Sequence, residues 1–242
     1  MSGQEIATAG EQTSGKALAL PDTAHTTSRP RIVPTTSGGW LLLAIAVAII
    51  AGLAVFAWGL IPRDPGENSP EAGFLRDMQT HHHQAVEMAM IIRDRTSDEQ
   101  LKFMATDIAF GQETEIGMMT GYLDAWGLSF AGDDPPMAWM DHPLRDGELM
   151  PGMATDEQLQ QLQTLPVDEA EVLFLQLMIR HHQGGVEMAQ AILARSDNAL
   201  TTDLANRMIR VQSSEIDTMN TFLVDRGQPP ITDPLPATHN HG

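Results

Sequence analysis

The sequence predicts an all-α protein, a four-helix bundle that is preceded by one transmembrane helix. Residues 74–127 return without a gap, 100 positions later, as residues 174–227, and 18 of these 54 positions are identical. Each copy has apolar residues at helical spacing, so the duplication predicts two helical hairpins. Before them, the 22 residues from Trp40 to Ile61 carry no charge, which is enough helix to cross a hydrocarbon core of about 30 Å.

Composition limits the classes of function. The chain has 242 residues, a net charge of −18 and no cysteine, which excludes disulfides and thiolate metal sites. Residues 1–61 carry equal numbers of basic and acidic side chains, so the whole negative charge lies in the remainder. Such a domain attracts cations and repels nucleic acid, and we expect no nucleic-acid partner. An acidic surface that only keeps the protein soluble explains the charge equally well.

The N-terminal part is predicted to be a tail and an anchor. Residues 1–38 are rich in Thr, Ser, Gly, Ala and Pro, and this composition predicts a disordered tail. The transmembrane anchor is placed at residues 39–61, where Trp40 and Trp58 suit the two membrane interfaces. Two arginines precede it, so the positive-inside rule favours a single-pass protein of the cell membrane with its C-terminal domain outside the cytoplasm. A cleaved signal peptide is the rival interpretation.

The remainder is predicted to be a bundle at residues 62–227 followed by a second disordered tail at residues 228–242. The hairpin copies span residues 70–127 and 168–227, and a crossover rich in Pro and Gly, at residues 128–167, joins them. The tail contains His239 and His241, two apart in a disordered segment. We expect this pair to bind metal weakly if at all, because no scaffold orients it.

Local signals predict where each helix begins and ends. The caps of the four long helices and of one short crossover helix are Ser69, the segment 96–98, Thr155 with Gln158, Asp168 and the segment 196–198. The first and third helices should run to about Arg95 and Arg195. Gly127 and Gly227 should end the second and fourth.

A helical wheel places the histidine pair of the first copy on the buried stripe of its helix. His81 and His82 lie within about 60° of Met78, which marks the centre of this stripe. His83 and Glu87 fall on the solvent side, and we discount both as ligands inside the bundle.

The second copy repeats this arrangement with Met178, His181 and His182. On the second helix of each hairpin, Glu115 and Glu215 lie on the buried stripe, one turn after a glutamine. A buried unpaired carboxylate is costly, so each must be paired with a histidine or a metal ion. A pseudo-twofold axis would gather four imidazoles, two carboxylates and four thioethers at the centre, the last from Met78, Met119, Met178 and Met219.

This mixture of donors favours copper. Imidazole suits copper, zinc, iron and nickel, whereas thioether sulfur selects Cu(I) or Ag(I). Zinc or another divalent metal stays open, although methionine is a poor zinc ligand. No Glu is followed three residues later by His, which argues against a di-iron bundle.

Each copy has the pattern Phe-x3-Met-x2-His-His-x3-Val-Glu-Met-Ala, followed by Gln-x2-Glu-Ile-x2-Met, and Met-Pro-Gly-Met at residues 150–153 precedes the second copy. Residues 70–227 thus resemble the domain-of-unknown-function 305 family. The resemblance implies a ferritin-like four-helix domain, exported or tethered to a membrane, and some relatives are associated with copper binding and tolerance. The ligands it implies are His81, His82, His181, His182, Met78, Met178, Met88 and Met188.

Met88 and Met188 lie at about −80° on the wheel, at the edge of the stripe. Gly184 and Gly185 depart from the pattern, because two glycines in a helix interior cost about 1 kcal/mol each relative to alanine. They would permit either a close approach of another helix or an open ligand position.

Two functions follow from this sequence. The first is a membrane-anchored extracytoplasmic protein that binds copper for buffering, transfer or tolerance. The alternative is a non-enzymatic interaction module in which a buried His–Glu network only fixes helix register. A redox enzyme is a weaker third hypothesis, since the sequence offers no catalytic nucleophile or substrate pocket. A homo-oligomer or a protein partner stays open.

Overall fold

The computed structural model describes residues 37–59 and 64–235. The chain divides into two compact units, Met1–Pro62 and Arg63–Gly242. Most of the predicted N-terminal tail and the two tail histidines lie outside the described residues. Of the predicted C-terminal tail, residues 228–235 lie against the bundle, because the backbone N–H of Ile231 donates to Asn220 Oδ1 over 2.7 Å. For this stretch the prediction of disorder was wrong.

The first unit contains helix α1, Ser37–Gly59. Its segment Gly38–Trp58 is long and apolar enough to cross a membrane. Its large apolar side chains are exposed on every side of the helix, as suits a span surrounded by lipid. A signal sequence near an N-terminus can also form a helix this long and apolar.

The second unit is a bundle of four long helices with a short fifth helix in the crossover. Its elements are α2 (Pro70–Arg95), α3 (Glu99–Ala125), one 3-10 turn (Ala138–Met140), α4 (Asp156–Thr164), α5 (Val167–Leu193) and α6 (Ala199–Asp225). The described residues contain no strand. Helix α2 packs on α3, α5 packs on α6, and α2 packs on α5, whereas α3 and α6 barely touch. The predicted all-α fold, a ferritin-like four-helix bundle, is confirmed.

The predicted end signals act as expected in most places. Four side chains accept hydrogen bonds from backbone N–H groups of the turn that follows them, namely Ser69, Asp98, Thr155 and Asn198. Gly127 and Gly227 follow α3 and α6 with φ of 66° and 72°, a conformation that glycine adopts without strain. Helix α5 begins at Val167, one residue before the predicted start, with Pro166 as its cap.

Two apolar clusters fill the bundle. One contains Phe74, Met78, Met119 and Met188, and the other contains their counterparts Phe174, Met178, Met219 and Met88. Residues before the histidines of α2 therefore lie beside residues after the histidines of α5. The two helices run antiparallel, and the pseudo-twofold axis passes between the His pairs.

Candidate metal centre

Four histidines meet where α2 packs on α5. His81, His82, His181 and His182 are each at most 1% exposed. The rings of His81 and His181 lie almost face to face, with centroids 3.8 Å apart and planes 32° apart. The ring of His182 lies 6.3 Å from that of His181. The duplication thus brings both predicted pairs into one cluster.

Each hairpin adds a carboxylate to this cluster. His82 Nε2 lies 2.8 Å from Glu115 Oε2, and His182 Nε2 lies 2.7 Å from Glu215 Oε2. A carboxylate only accepts, so in a neutral imidazole Nε2 carries the proton and Nδ1 keeps its lone pair. Of the two partners predicted for each glutamate, a histidine or a metal ion, the structure shows a histidine. The carboxylates orient the rings, as the outer partners of metal-bound histidines do.

The crossover covers one side of the cluster. His81 Nε2 donates to the carbonyl oxygen of Pro151 over 3.0 Å. The side-chain amide of Gln84 holds both backbone groups of Ala154, over 2.7 and 2.9 Å. At Gly184 a Cβ atom would lie 1.9 Å from the Pro151 oxygen, so only glycine admits the crossover here. The segment that approaches Gly184 is the crossover and not the expected helix.

Gly185 makes room for a different group. A Cβ atom at this position would lie 2.3 Å from Oε1 of Gln212. Gln212 and its counterpart Gln112 are 2% and 4% exposed, and neither Oε1 atom has a hydrogen-bond partner. Both amides therefore present bare oxygens inside the bundle, next to the glutamates that bond the histidines.

The cluster contains an unusual number of buried polar atoms without partners. They are Nδ1 of His81, His82 and His182, Nε2 of His181, and Oε1 of Gln112 and Gln212. Buried acceptors without donors are rare because each loses its hydration. A cation bound among them would satisfy several at once, so the donor set fits a metal ion.

The cluster is not arranged as a finished coordination sphere. Among residues 37–59 and 64–235, no three His, Asp or Glu side chains are placed so that they could hold one metal ion. The rings of His81 and His181 overlap with their planes tilted by 32°, and overlapping rings do not point their nitrogens at a common point. Coordination by both therefore requires at least one ring to turn.

Burial keeps the imidazoles in the form that binds metal. Desolvation lowers the pKa of His81 to about 3, although the hydrogen bond to Pro151 acts in the opposite direction. Burial also lowers the pKa of His181 well below its ordinary value, and the neighbouring His81 lowers it further. The pKa of His82 is lowered by burial against the raising effect of Glu115. These rings are thus neutral at pH 7, as ligands must be.

The four candidate methionine ligands are buried but belong to two separate apolar clusters. Met78, Met88, Met178 and Met188 are all 0% exposed, so the prediction that Met88 and Met188 lie at the stripe edge was wrong. Met78 shares its cluster with Met188, and Met178 shares the other with Met88. The thioethers therefore flank the histidines from two sides and do not form one group. His83 and Glu87 are exposed, as predicted.

The chain is similar to known proteins in both sequence and fold. The model of a domain of unknown function, DUF305, matches residues 71–223. The chain belongs to the DUF305 family. A DUF305 structure from Streptomyces coelicolor, described as a candidate secreted protein, is 45% identical with a TM-score of 0.64, over 69% of this chain and 100% of that chain. A DUF305 fragment from Deinococcus radiodurans is 31% identical with a TM-score of 0.56, over 68% and 99% of the two chains.

Two further relatives of this DUF305 chain are informative. CopM in its Cu(II)-bound form is 28% identical with a TM-score of 0.52, over 65% of this chain and 97% of that one. An uncharacterised protein of Acanthamoeba polyphaga mimivirus is 32% identical over 84 residues, which are 35% of this chain. The match spans 50% of the length of that curated relative.

Proposed function

We propose that this DUF305 protein binds copper outside the cytoplasm and serves in copper buffering, transfer or tolerance. One observation carries the proposal: each of four buried imidazoles leaves a ring nitrogen without a partner at the crossing of α2 and α5. The proposed ligands are His81, His82, His181 and His182, with Met78, Met88, Met178 and Met188 as flanking soft donors. Glu115 and Glu215 would orient the second histidine of each pair.

The choice of copper rests on the donors and on one relative. CopM, whose fold this chain shares, has a known structure in its Cu(II)-bound form. Here the nitrogen donors are flanked by buried thioethers, which favour Cu(I), while carboxylates bond the outer nitrogens of the rings. Zinc would gain nothing from the thioethers.

The proposed location follows from α1. The apolar segment Gly38–Trp58 would anchor the bundle in the cell membrane, with residues 63–242 on the outside. Labelling of an introduced surface cysteine in intact cells tests this, because the chain has no other cysteine. Ser97→Cys in the exposed turn between α2 and α3 should react with an impermeant reagent. Protection until the cells are lysed would place the bundle inside.

The binding experiment compares two variants of residues 63–242. In one, all four buried histidines are replaced by alanine; in the other, only the exposed His83 is replaced. Competition titrations with Cu(I) and Cu(II) should show one tight site in the wild type and in His83→Ala, and loss of it in the quadruple variant. Circular dichroism reports whether the quadruple variant still folds. Equal copper affinity in all three proteins would contradict the proposal.

A second function is favoured by a separate observation. No three ligand groups converge in the described residues, and each glutamate already has a histidine partner. This arrangement suits a protein-interaction module whose His–Glu network is structural. It predicts that copper leaves the melting temperature unchanged, whereas a bound metal ion would raise it in proportion to affinity. It also predicts a stoichiometric protein partner in metal-free membranes.

A further inference from the structure

The α3/α6 face of the bundle is open. These two helices barely touch, and a groove of about 510 Å³ lies between them. The residues that matter in its lining are Gly111, Gln112, Glu115, Arg207, Gln212 and Glu215. Four of these are two symmetry-related pairs, so the groove lies on the pseudo-twofold axis.

The opposite face is closed. The α2/α5 side of the histidine cluster is covered by the crossover, which Gln84 holds at Ala154 and which Gly184 allows to press against the helix. The carbonyl oxygen of Pro151 occupies one nitrogen of His81 there. A solute that approaches from this side would have to displace a segment with four backbone and side-chain contacts. The groove is the approach that needs no such displacement.

The groove and the histidine cluster share two side chains, Glu115 and Glu215. Glu115 and Glu215 line the groove with partly exposed carboxylates, and each bonds a buried histidine through Oε2. Gln112 and Gln212 line the groove too, yet both are more than nine-tenths buried and their Oε1 atoms have no partner. A bare amide oxygen is a weak ligand for a cation and holds it only briefly.

We propose that the α3/α6 groove is the route by which the metal ion reaches the histidines, and that the amide oxygens of Gln112 and Gln212 receive it on the way. The inference rests on the proposed function and adds the direction of access. Arg207 and Arg210 balance the charge of Glu115 and Glu215 in the groove, so the neutral amides, and not a net negative charge, receive the cation and pass it inward. Arg207 lies across the mouth, with Nη2 3.6 Å from the sulfur of Met118 on α3.

The structure offers a matched pair of variants to test this route. A Cβ atom at Gly111, in the groove, would meet nothing within 4 Å, and the same holds for Gly121 on α3 outside it. The first side-chain atom therefore has free space at both positions, and each exchange removes a helix-interior glycine. Gly111→Trp places an indole in the groove, whereas Gly121→Trp places it in solvent.

Stopped-flow measurements on the full-length protein in detergent would follow Cu(II) uptake and its release to a chelator. Gly111→Trp should slow both rates at least about tenfold and leave the dissociation constant within about twofold, because a blocked route raises one barrier for both directions. Gly121→Trp should match the wild-type rates. Melting temperatures confirm that both variants are folded.

A second pair of variants tests the role of the amide oxygens of Gln112 and Gln212. Gln112→Leu with Gln212→Leu should slow uptake, while Gln100→Leu with Gln190→Leu, both exposed and outside the groove, should not. Wild-type rates in Gly111→Trp together with normal affinity would overturn the route and leave the copper proposal intact. Absence of copper binding by the wild type would overturn both.

Discussion

Gly184→Ala probes the contact on which the covered side of the site depends. The added methyl group would lie 1.9 Å from the oxygen and 2.5 Å from the carbonyl carbon of Pro151. Both atoms belong to the backbone, so no side-chain rotation relieves the clash. The crossover must move about 1.5 Å to regain an ordinary contact, and the 3.0 Å hydrogen bond from His81 cannot survive that shift.

The change in the free energy of unfolding of Gly184→Ala combines three effects. An unsatisfied buried N–H on His81 costs about 1–3 kcal/mol. Overpacking against a backbone segment costs about 1–3 kcal/mol. Replacing a helix-interior glycine by alanine stabilises the helix by about 1 kcal/mol. The free energy of unfolding of Gly184→Ala should thus fall by about 3 kcal/mol, within a range of about 1–5 kcal/mol.

Urea denaturation of residues 63–242 without metal measures the loss of unfolding free energy in Gly184→Ala. With an m-value of about 2 kcal/mol/M, the midpoint should fall by about 1.5 M. Gly111→Ala is the matched control, because its methyl group meets nothing and should raise stability by about 0.5–1 kcal/mol. If Gly184→Ala proves as stable as Gly111→Ala, the crossover is not clamped against α5 and the assignment of a covered side is mistaken.

Three further predictions concern charge and boundaries. The pKa of His81 and of His181 is lower in the folded state than the unfolded value of 6.5, so the unfolded chain binds more protons on acidification. Below pH 6.5 the metal-free domain should therefore lose about 1.4 kcal/mol of stability per pH unit for each ring. Thermal melts at pH 7 and pH 5 measure this loss, and pH-independent melts would contradict the burial of both rings in the neutral form. Glu115→Gln with Glu215→Gln should weaken copper binding about 10–100-fold in competition titrations while the fold persists, and unchanged affinity would remove the orienting role. Deleting residues 236–242 should leave the tight-site stoichiometry unchanged, and loss of a site would place ligands in the tail.

The repeat and the helical wheel predicted the four helices and the burial of both histidine pairs, since these depend only on the period of apolar residues along one helix. They did not predict how the thioethers divide. A wheel gives the angle of a side chain about its own axis and no position along a neighbouring helix. Met78 and Met178 occupy equal positions in their copies, yet the antiparallel crossing of α2 and α5 puts them at opposite ends of the site.

The crossover was the other part that the sequence could not place. Its prolines and glycines predicted little regular structure, and a segment without periodicity gives no sign of what it touches. The informative residue was Gly184, a helix-interior glycine with an energetic cost and no local reason. The structure supplies the reason in the approach of Pro151, which no pattern within α5 could have named.

The two copies keep the same Gln and Glu on the open side of the site, although other groove residues differ, and they differ at positions 84 and 184 on the covered side. On the α3/α6 side, Gln112 and Glu115 correspond to Gln212 and Glu215, and the pairs take equivalent positions around the groove. On the α2/α5 side, Gln84 forms a hydrogen bond to the crossover, whereas its counterpart Gly184 leaves space for the crossover to approach the helix. A single chain has one crossover, so it can cover only one face of a twofold arrangement, and the residues that meet it must differ between copies. The retained pairs on the other face need no such adaptation, and symmetric donors about one axis are what a single ion on that axis would bind. The positions that differ between the copies and the pairs that are retained therefore support the same assignment, in which one side of the site is covered and the other is the side of approach.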